Sequence, residues 1–370
     1  MGEPEKYLKQ ALKLALKGRG LVSPNPLVGA VLVKNNRVIG RGWHRYFGGR
    51  HAEINALDDC RETPAGGTLY VTLEPCCHFG KTPPCTEAII RSGVRKVVAG
   101  MTDPNPVVAG KGFAALRKAG IDVEAEHGSV TEQCRRINEP YLVWITRQRP
   151  FIALKIAQTL DGKIASRDGK SKWITGEKAR DFARRLRFEY DAVLVGINTV
   201  LADDPGLNYQ PDRLSGDLPG RKHYWKIVLD SRARLPLTGR IWTGANSRIL
   251  VAVTGQAPKL RLKALEKQGA LVITAGKERV ELSVLMKQLA KLGIASVLVE
   301  GGAETSGSFV DEKLVDRLYL FQSPLVLGGR CGLSSVSGQG YSSPDKALRF
   351  DLEKTRRFGP DQLFVGKPLF

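Results

Sequence analysis

A chain of 370 residues, 42% apolar and 25% charged, has the length of two ordinary globular domains and core material for both. No apolar stretch approaches the roughly 20 residues that cross a bilayer, and Met-Gly-Glu-Pro-Glu-Lys lacks a signal peptide's apolar centre, so a cytoplasmic protein with no membrane partner is expected. Lys and Arg number 57 against 37 Asp and Glu, a net charge of +20, yet the charges are scattered, which fits a solvated surface and phosphorylated small ligands better than a nucleic-acid track.

Leu8, Ala11, Leu12, Ala15 and Leu16 make one stripe of an amphipathic helix over residues 5–18, which Gly18 and Gly20 end. Pro24-Asn25-Pro26 leads into a strand over 28–33, and Asn35-Asn36 turns the chain into a second strand near Val38-Ile39. Gly48-Gly49-Arg50 precedes a helical run through Ala52, Ile54, Ala56 and Leu57, so His51 and Glu53 fall in a first helical turn. A strand over 68–73 ends at Pro75, and after Pro83-Pro84 a further helix opens at Cys85. A strand at 96–99, the loop Asp103-Pro104-Asn105-Pro106 and a helix over 113–119 follow. Residues 130–149 read as one helix, with Pro150 as the seam between domains.

The chemistry concentrates between His51 and Cys85. Catalytic zinc usually keeps three protein ligands, leaves a fourth position to water, and takes neutral imidazole and thiolate. His51, Cys76 and Cys85 supply that set, and two thiolates make the site formally neutral, so a water there can lose a proton without excess negative charge. Glu53, about 200° around a helix from His51, suits proton transfer to that water and not ligation. A structural zinc knot closed by Cys77 or His78 is the alternative, and Cys60 reads as core. Six cysteines in all, two of them ligands, fit a reducing compartment.

His-Ala-Glu at 51–53 and Pro75-Cys76 fit the zinc-deaminase signature, H-x-E followed by P-C-x-x-C, except that eight residues separate Cys76 from Cys85. That longer loop, ending Gly-Lys-Thr-Pro-Pro-Cys, resembles the deaminase half of the bifunctional riboflavin biosynthesis deaminase/reductase family. The resemblance implies a cytidine-deaminase-like three-layer domain, one Zn2+ per chain, and substrate contacts from Asn25, His44, His78, Asp103 and Asn105, with Lys81 on a ribose phosphate. Cys77 stands where the family often has Ser, which makes it a neighbour of the metal.

Beyond Pro150, strand-like runs at 151–156, 192–195, 227–229, 249–253, 297–299 and 318–321 alternate with helical stretches at 177–187, 259–268 and 282–292, the pattern of an α/β domain with a mainly parallel sheet. Glu300-Gly301-Gly302-Ala303-Glu304-Thr305-Ser306-Gly307 ends a strand and opens a helix, where free amides can hold a phosphate. Such a turn alone is weak evidence. With Leu154-Lys155, Thr159-Leu160-Asp161-Gly162, the stretches 171–175 and 198–205, and Leu229-Asp230-Ser231 in order, this half resembles the family's reductase domain, dihydrofolate-reductase-like in fold and NADPH-dependent.

That resemblance implies NADPH contacts from Trp173, Thr199, Asp203, Ser231, Gly302, Ala303, Glu304, Thr305, Ser306 and Gly307. It implies substrate contacts from Ser171, Arg187, Leu207 and Glu300, and leaves Lys155 as the candidate proton donor. One segment departs: after Asp-Asp-Pro the family commonly has Leu-Thr and soon an Arg, whereas this chain has Leu207-Asn208-Tyr209-Gln210, with Arg213 as a candidate replacement.

The expectation is a deaminase domain over 1–147 and a reductase domain over 148–370, working in turn on phosphorylated pyrimidines, with no nucleic-acid partner and the oligomeric state open. The alternative, a zinc base deaminase acting on RNA with an accessory α/β domain, leaves the second half without a role.

Overall fold

The computed structural model describes residues 2–80, 83–209, 224–244, 247–329 and 332–369. The chain divides into two compact units, Met1–Gln148 and a second beginning at Arg149.

The first unit runs α1 (Glu3–Ala15), β1 (Gly29–Lys34), β2 (Arg37–Trp43), α2 (Ala52–Asp58), β3 (Thr68–Val71), α3 (Cys85–Arg91), β4 (Lys96–Ala99), α4 (Lys111–Lys118), β5 (Asp122–Ala125), α5 (Ser129–Ile137) and α6 (Glu139–Arg147). Among the described residues its sheet has the order β2-β1-β3-β4-β5, antiparallel at β2-β1-β3 and parallel from β3 to β5. Asn35 and Asn36, at φ 49° and 58°, make the left-handed turn that joins β1 to β2, a conformation asparagine tolerates.

Strand periodicity sends alternate side chains to two cores. Ala30, Leu32, Leu69, Val71 and Val97 pack with Ala52, Ala56, Ile89 and Leu116 of α2, α3 and α4. Val31, Val33, Tyr70 and Val98 pack with Leu8, Leu12, Val130 and Cys134 of α1 and α5. The result is the expected three layers. At Gly42 a Cβ would lie 2.2 Å from the Ala52 carbonyl oxygen, so only glycine lets the first turn of α2 settle on β2 and fix the position of His51.

The single helix expected over 130–149 is two. Pro140 removes an amide at the start of α6, and the Asn138 side chain turns outward to the backbone of Leu27, accepting from its N–H at 2.7 Å and donating to its carbonyl at 3.0 Å. That break anchors the loop carrying Asn25.

The second unit contains β6 (Phe151–Gln158), β7 (Lys163–Ala165), α7 (Glu177–Glu189), β8 (Ala192–Gly196), α8 (Ile197–Asp203), β9 (Tyr224–Leu229), β10 (Ser247–Val253), α9 (Lys259–Lys267), β11 (Leu271–Thr274), α10 (Leu282–Lys291), β12 (Ser296–Val299), α11 (Ala303–Asp311), β13 (Arg317–Gln322), β14 (Leu333–Ser334), β15 (Arg349–Phe358) and β16 (Asp361–Leu369). The large sheet, among the described residues, has the order β11-β10-β9-β8-β12-β6-β13-β16-β15. It is parallel from β11 through β13, and β16 and β15 close one edge antiparallel.

One face buries Leu154, Leu194, Ile227 and Val297 with Leu285, Leu289 and Phe309 of α10 and α11. The other buries Val193, Val195, Val228 and Val251 with Val200 and Leu265 of α8 and α9. Because the strands are parallel, β12, β8 and β9 all end along one edge, where open α/β sheets bind ligands. The sequence reading omits α8, β7, β11, β14 and the β15–β16 hairpin.

Candidate active sites

His51 caps α2 from an extended backbone, φ −71° and ψ 165°, Cys85 is the first residue of α3, and Cys76 lies on the loop after β3. These elements converge three donor atoms. His51 Nδ1 lies 3.2 Å from Cys85 Sγ and 3.5 Å from Cys76 Sγ, and all three ligand atoms lie within 4.8 Å of one another. Nitrogen and sulfur ligands on one tetrahedral zinc ion sit roughly 3.6 Å apart, so the donor set fits that ion. Among the described residues neither Cys77 nor His78 joins the group. The Cys85 thiol hydrogen-bonds Cys76, which holds the Cys76 thiol well below its usual range and Cys85 well above.

Glu53 is buried on the first turn of α2 beside the group. Burial pushes its carboxyl up to about 7 against the pull of His51, and it shares a hydrogen bond with Cys85. A carboxyl near neutrality can both take and give a proton.

The group opens into a cavity of about 330 Å³ lined by Asn25, His44, His78, Asp103 and Asn105 with Glu53. His44 Nδ1 is 3.1 Å from the Arg50 carbonyl oxygen, so that nitrogen carries the hydrogen, and Nε2 accepts from Asn25 Nδ2 at 3.1 Å. Burial pushes His44 down to about 4, leaving the ring neutral at physiological pH. His78 Nδ1 is buried with no hydrogen-bond partner in the structure. Lys81 lies outside the described residues.

Two residues of this wall escaped the sequence reading. Tyr141 donates its hydroxyl to Asp103 Oδ1 at 2.9 Å. The buried Glu74 carboxylate accepts four backbone amides, from Asp103 at 3.2 Å, Gly110 at 3.0 Å, Gly112 at 3.0 Å and Phe113 at 3.2 Å. The available signal was an acidic residue in the otherwise apolar Thr72-Leu73-Glu74-Pro75 run.

In the second unit, Arg187 and Lys155 both reach Glu300, at the end of β12. Lys155 Nζ lies 3.6 Å from Glu300 Oε2. Burial pushes the Glu300 carboxyl up, but Arg187 and then Lys155 outweigh it and hold it at about 2. Ser171 Oγ donates to Asp203 Oδ1 at 3.0 Å, and the largely exposed Trp173 ring carries the Arg180 guanidinium 4.3 Å from its centroid. These residues line a cavity of about 520 Å³ with an excess of basic side chains, Lys172, Arg184 and Arg240 included. Leu207 lines it as a buried residue at φ 51°.

A neighbouring cavity of about 880 Å³ is lined by Ser231, Ala303, Glu304 and Thr305. Ser171, Thr199, Asp203 and Gly302 line both, so the two are one continuous cleft. Ser306 lines the first cavity, and its Oγ is buried without a hydrogen-bond partner at the start of α11, which suits a phosphate oxygen. Gly307 differs from the expectation. It lines neither cavity, and a Cβ there would fall 1.8 Å from the Ser337 carbonyl oxygen, so close packing explains this glycine.

In the departing segment, Asn208 Oδ1 accepts from the fully buried Lys226 Nζ at 2.9 Å. Gln210 and Arg213 lie outside the described residues.

Comparison with known proteins covers both units. Residues 1–101 match the cytidine and deoxycytidylate deaminase zinc-binding region, and residues 150–364 match the RibD C-terminal domain. The riboflavin biosynthesis protein RibD of Aquifex aeolicus is 42% identical over 361 residues, 98% of this chain and 97% of its own. A crystal structure of the diaminohydroxyphosphoribosylaminopyrimidine deaminase/5-amino-6-(5-phosphoribosylamino)uracil reductase of Thermotoga maritima superposes with a TM-score of 0.84 at 37% identity, covering 99% of both chains. Acinetobacter baumannii RibD superposes with a TM-score of 0.87 at 33% identity, again over 99% of both. Likeness running through both units disfavours an RNA deaminase with an accessory domain. A converging His-Cys-Cys donor set in one unit and similarity running end to end through both together assign the chain to the RibD family, the bifunctional deaminase/reductase enzymes of riboflavin biosynthesis.

Proposed function

We propose that residues 1–147 hydrolyse the ring amine of a diamino-ribosylamino-pyrimidinone 5′-phosphate and that residues 148–370 reduce the ribosyl group of the deaminated product to a ribityl group. The substrates are those named for the Thermotoga maritima relative. The observation that carries the reading is the convergence of His51, Cys76 and Cys85 beside the buried Glu53 carboxyl, opening into a cavity.

His51, Cys76 and Cys85 hold one zinc ion, which when bound makes water nucleophilic at neutral pH. Glu53 takes a proton from the attacking water and delivers it to the departing amine, which leaves as ammonia. Asn25 and His44, locked to each other, Asp103, Asn105 and His78 orient the pyrimidine, and Lys81 meets its phosphate.

In the second unit NADPH, when bound, supplies hydride to the sugar C1′. Trp173, Thr199, Asp203, Ser231 and the turn from Gly302 to Ser306 hold it, the orphaned Ser306 hydroxyl supporting a phosphate there. Ser171, Arg187, Leu207 and Glu300 position the sugar, and Lys155 donates the proton, its ammonium lying beside Glu300. Orientation of the two reactants supplies much of this catalysis. A cytoplasmic location belongs to the same reading; no helix among the described residues is long and apolar enough to cross a membrane.

The test gives the zinc-loaded chain the pyrimidine with and without NADPH and records ammonia and NADPH separately. Ammonia release in both cases, with NADPH loss only when both are present, is the expected result. No ammonia from metal-loaded protein would overturn it.

A further inference from the structure

Two side chains of β9 converge on one short stretch of the wall of the 520 Å³ cavity. Tyr224 and Lys226, two residues apart, leave the strand on the same face, and both are buried. The Tyr224 hydroxyl donates to the Leu207 carbonyl oxygen at 3.2 Å, and Lys226 Nζ donates to Asn208 Oδ1 at 2.9 Å. Leu207 holds φ at 51°, a left-handed backbone that a bulky side chain resists unless its surroundings keep it there.

The Lys226 ammonium is fully used. Its other two donors go to the carbonyl oxygens of Ile241 at 3.0 Å and Thr243 at 2.5 Å, so none of the three is left for a ligand. Burying a cation against three neutral acceptors costs hydration and the freedom of a long side chain, penalties that an apolar residue at this position would avoid. What the ammonium provides is position. It ties the 3₁₀ turn Arg240–Trp242 to the segment Leu207-Asn208, and at Gly244, φ 114°, a Cβ would fall 2.4 Å from Asn208 Oδ1, so a glycine leaves the amide its place.

Asn208 carries this link into the cavity wall. Its carbonyl oxygen accepts from Arg187 Nη1 at 3.0 Å, while Nε and Nη2 of the same guanidinium go to Glu300. The Arg187 plane is therefore held from two sides. Arg187, Leu207, Asn208 and Glu300 all line the cavity, whereas Lys226 does not.

We propose that Lys226 is a positioning residue of the reductase: through the Asn208 side chain it sets where Leu207 and the Arg187 guanidinium meet the sugar of the deaminated substrate. The inference rests on the reductase reading above and gives Lys226 no contact with substrate or dinucleotide.

The test is steady-state reduction of the deaminated intermediate by the full-length chain, in the wild type, Lys226→Met, Asn208→Ala and Asn208→Asp, with NADP+ affinity measured by calorimetry. Loss of one hydrogen bond to a charged group raises the KM for the intermediate about tenfold in Lys226→Met and in Asn208→Ala, while kcat and the NADP+ Kd move less than about twofold. Asn208→Asp keeps an acceptor for the ammonium and restores a KM within about twofold of the wild type. Where Lys226→Met does not fold, the contrast between the two Asn208 variants decides. An unchanged KM in Asn208→Ala, a loss of kcat or NADP+ affinity as large as the rise in KM, or Asn208→Asp no better than Asn208→Ala would each overturn the assignment. A wild type that consumes no NADPH with the intermediate present removes the reductase reading itself and the proposal with it.

Discussion

The Arg187 guanidinium and the Glu300 carboxylate meet at two points, Nε to Oε1 at 2.5 Å and Nη2 to Oε2 at 3.1 Å, with side chains only 16% and 7% exposed. This pair links α7 to the end of β12 in the wall of the 520 Å³ cavity. Glu300 is held at about 2 although burial opposes ionisation, because Arg187 and Lys155 more than repay that cost. A carboxyl depressed by folding contributes stability in full above its ordinary value of 4.5, and that contribution fades as pH falls toward about 2. Linkage puts it on the order of 3 kcal/mol. Unfolding of the second unit, followed from neutral pH downward, should steepen below about pH 4.5 in the wild type and be flatter in Glu300→Gln. Identical acid profiles would count against the pair. Arg187→Leu, which leaves the buried carboxylate with Lys155 alone, should cost about 3–5 kcal/mol at neutral pH.

Glu53 is expected to act only in the first reaction. Glu53→Gln keeps the shape of the side chain and the three ligands but cannot shuttle a proton, so ammonia release should fall by roughly 10²–10⁴. Metal analysis should still find one zinc per chain, and reduction of the deaminated intermediate by NADPH should continue at the wild-type rate. Loss of both activities would refute the division of labour between units.

The convergence of His51, Cys76 and Cys85 was legible because these residue types are chemically specific and sit beside helix starts that Gly48-Gly49 and Pro83-Pro84 announce. Most parallel strands were legible too, as short apolar runs. What stayed hidden depends on contacts distant in sequence. Glu74 lies two residues before Cys76, but its partners lie 29 to 39 residues away. The strand expected at Ile227 begins earlier because Lys226 is buried, its Nζ bonded to Asn208 Oδ1, the Ile241 carbonyl at 3.0 Å and the Thr243 carbonyl at 2.5 Å. An ammonium in a strand reads as solvent-facing until three acceptors from two loops are brought to it. Asn208, one of those acceptors, is also the residue at which the chain leaves its family's usual pattern. The β15 strand was missed because Asp351, Glu353, Lys354, Arg356 and Arg357 make an edge strand with largely exposed side chains, which carries no apolar alternation.

Glu74 should govern the shape of the cavity beside Glu53, where the pyrimidine is proposed to bind, through the loop from Asp103 to Phe113. Glu74→Ala leaves four amides without their acceptor, each buried loss worth about 1–3 kcal/mol, though the sum is softened by relaxation. Faster hydrogen exchange at Gly110 and Gly112 is expected, with a KM for the pyrimidine that rises more than kcat falls. Glu74→Gln keeps one acceptor oxygen and should lie between the two. Unaltered exchange in Glu74→Ala would mean the loop is held by something else.

Adjacent glycines in the turn before α11 allow packing and binding to be told apart. At Gly301 a Cβ would fall 2.4 Å from Thr305 Cβ, so Gly301→Ala forces a shift at the start of α11 and should cost about 1–3 kcal/mol as overpacking. At Gly302 the nearest atom to a Cβ is Thr199 Oγ1 at 3.5 Å, and its φ of −69° is open to any residue. Gly302→Leu should therefore fold with near wild-type stability while its side chain enters the neck that joins the two cavities. NADP+ affinity should drop at least about tenfold, the scale of one lost contact to a charged group, and deamination should be spared. Thermal unfolding and NADP+ titration of both variants decide the matter. If Gly302→Leu binds the dinucleotide as tightly as the wild type, the cofactor does not cross this turn.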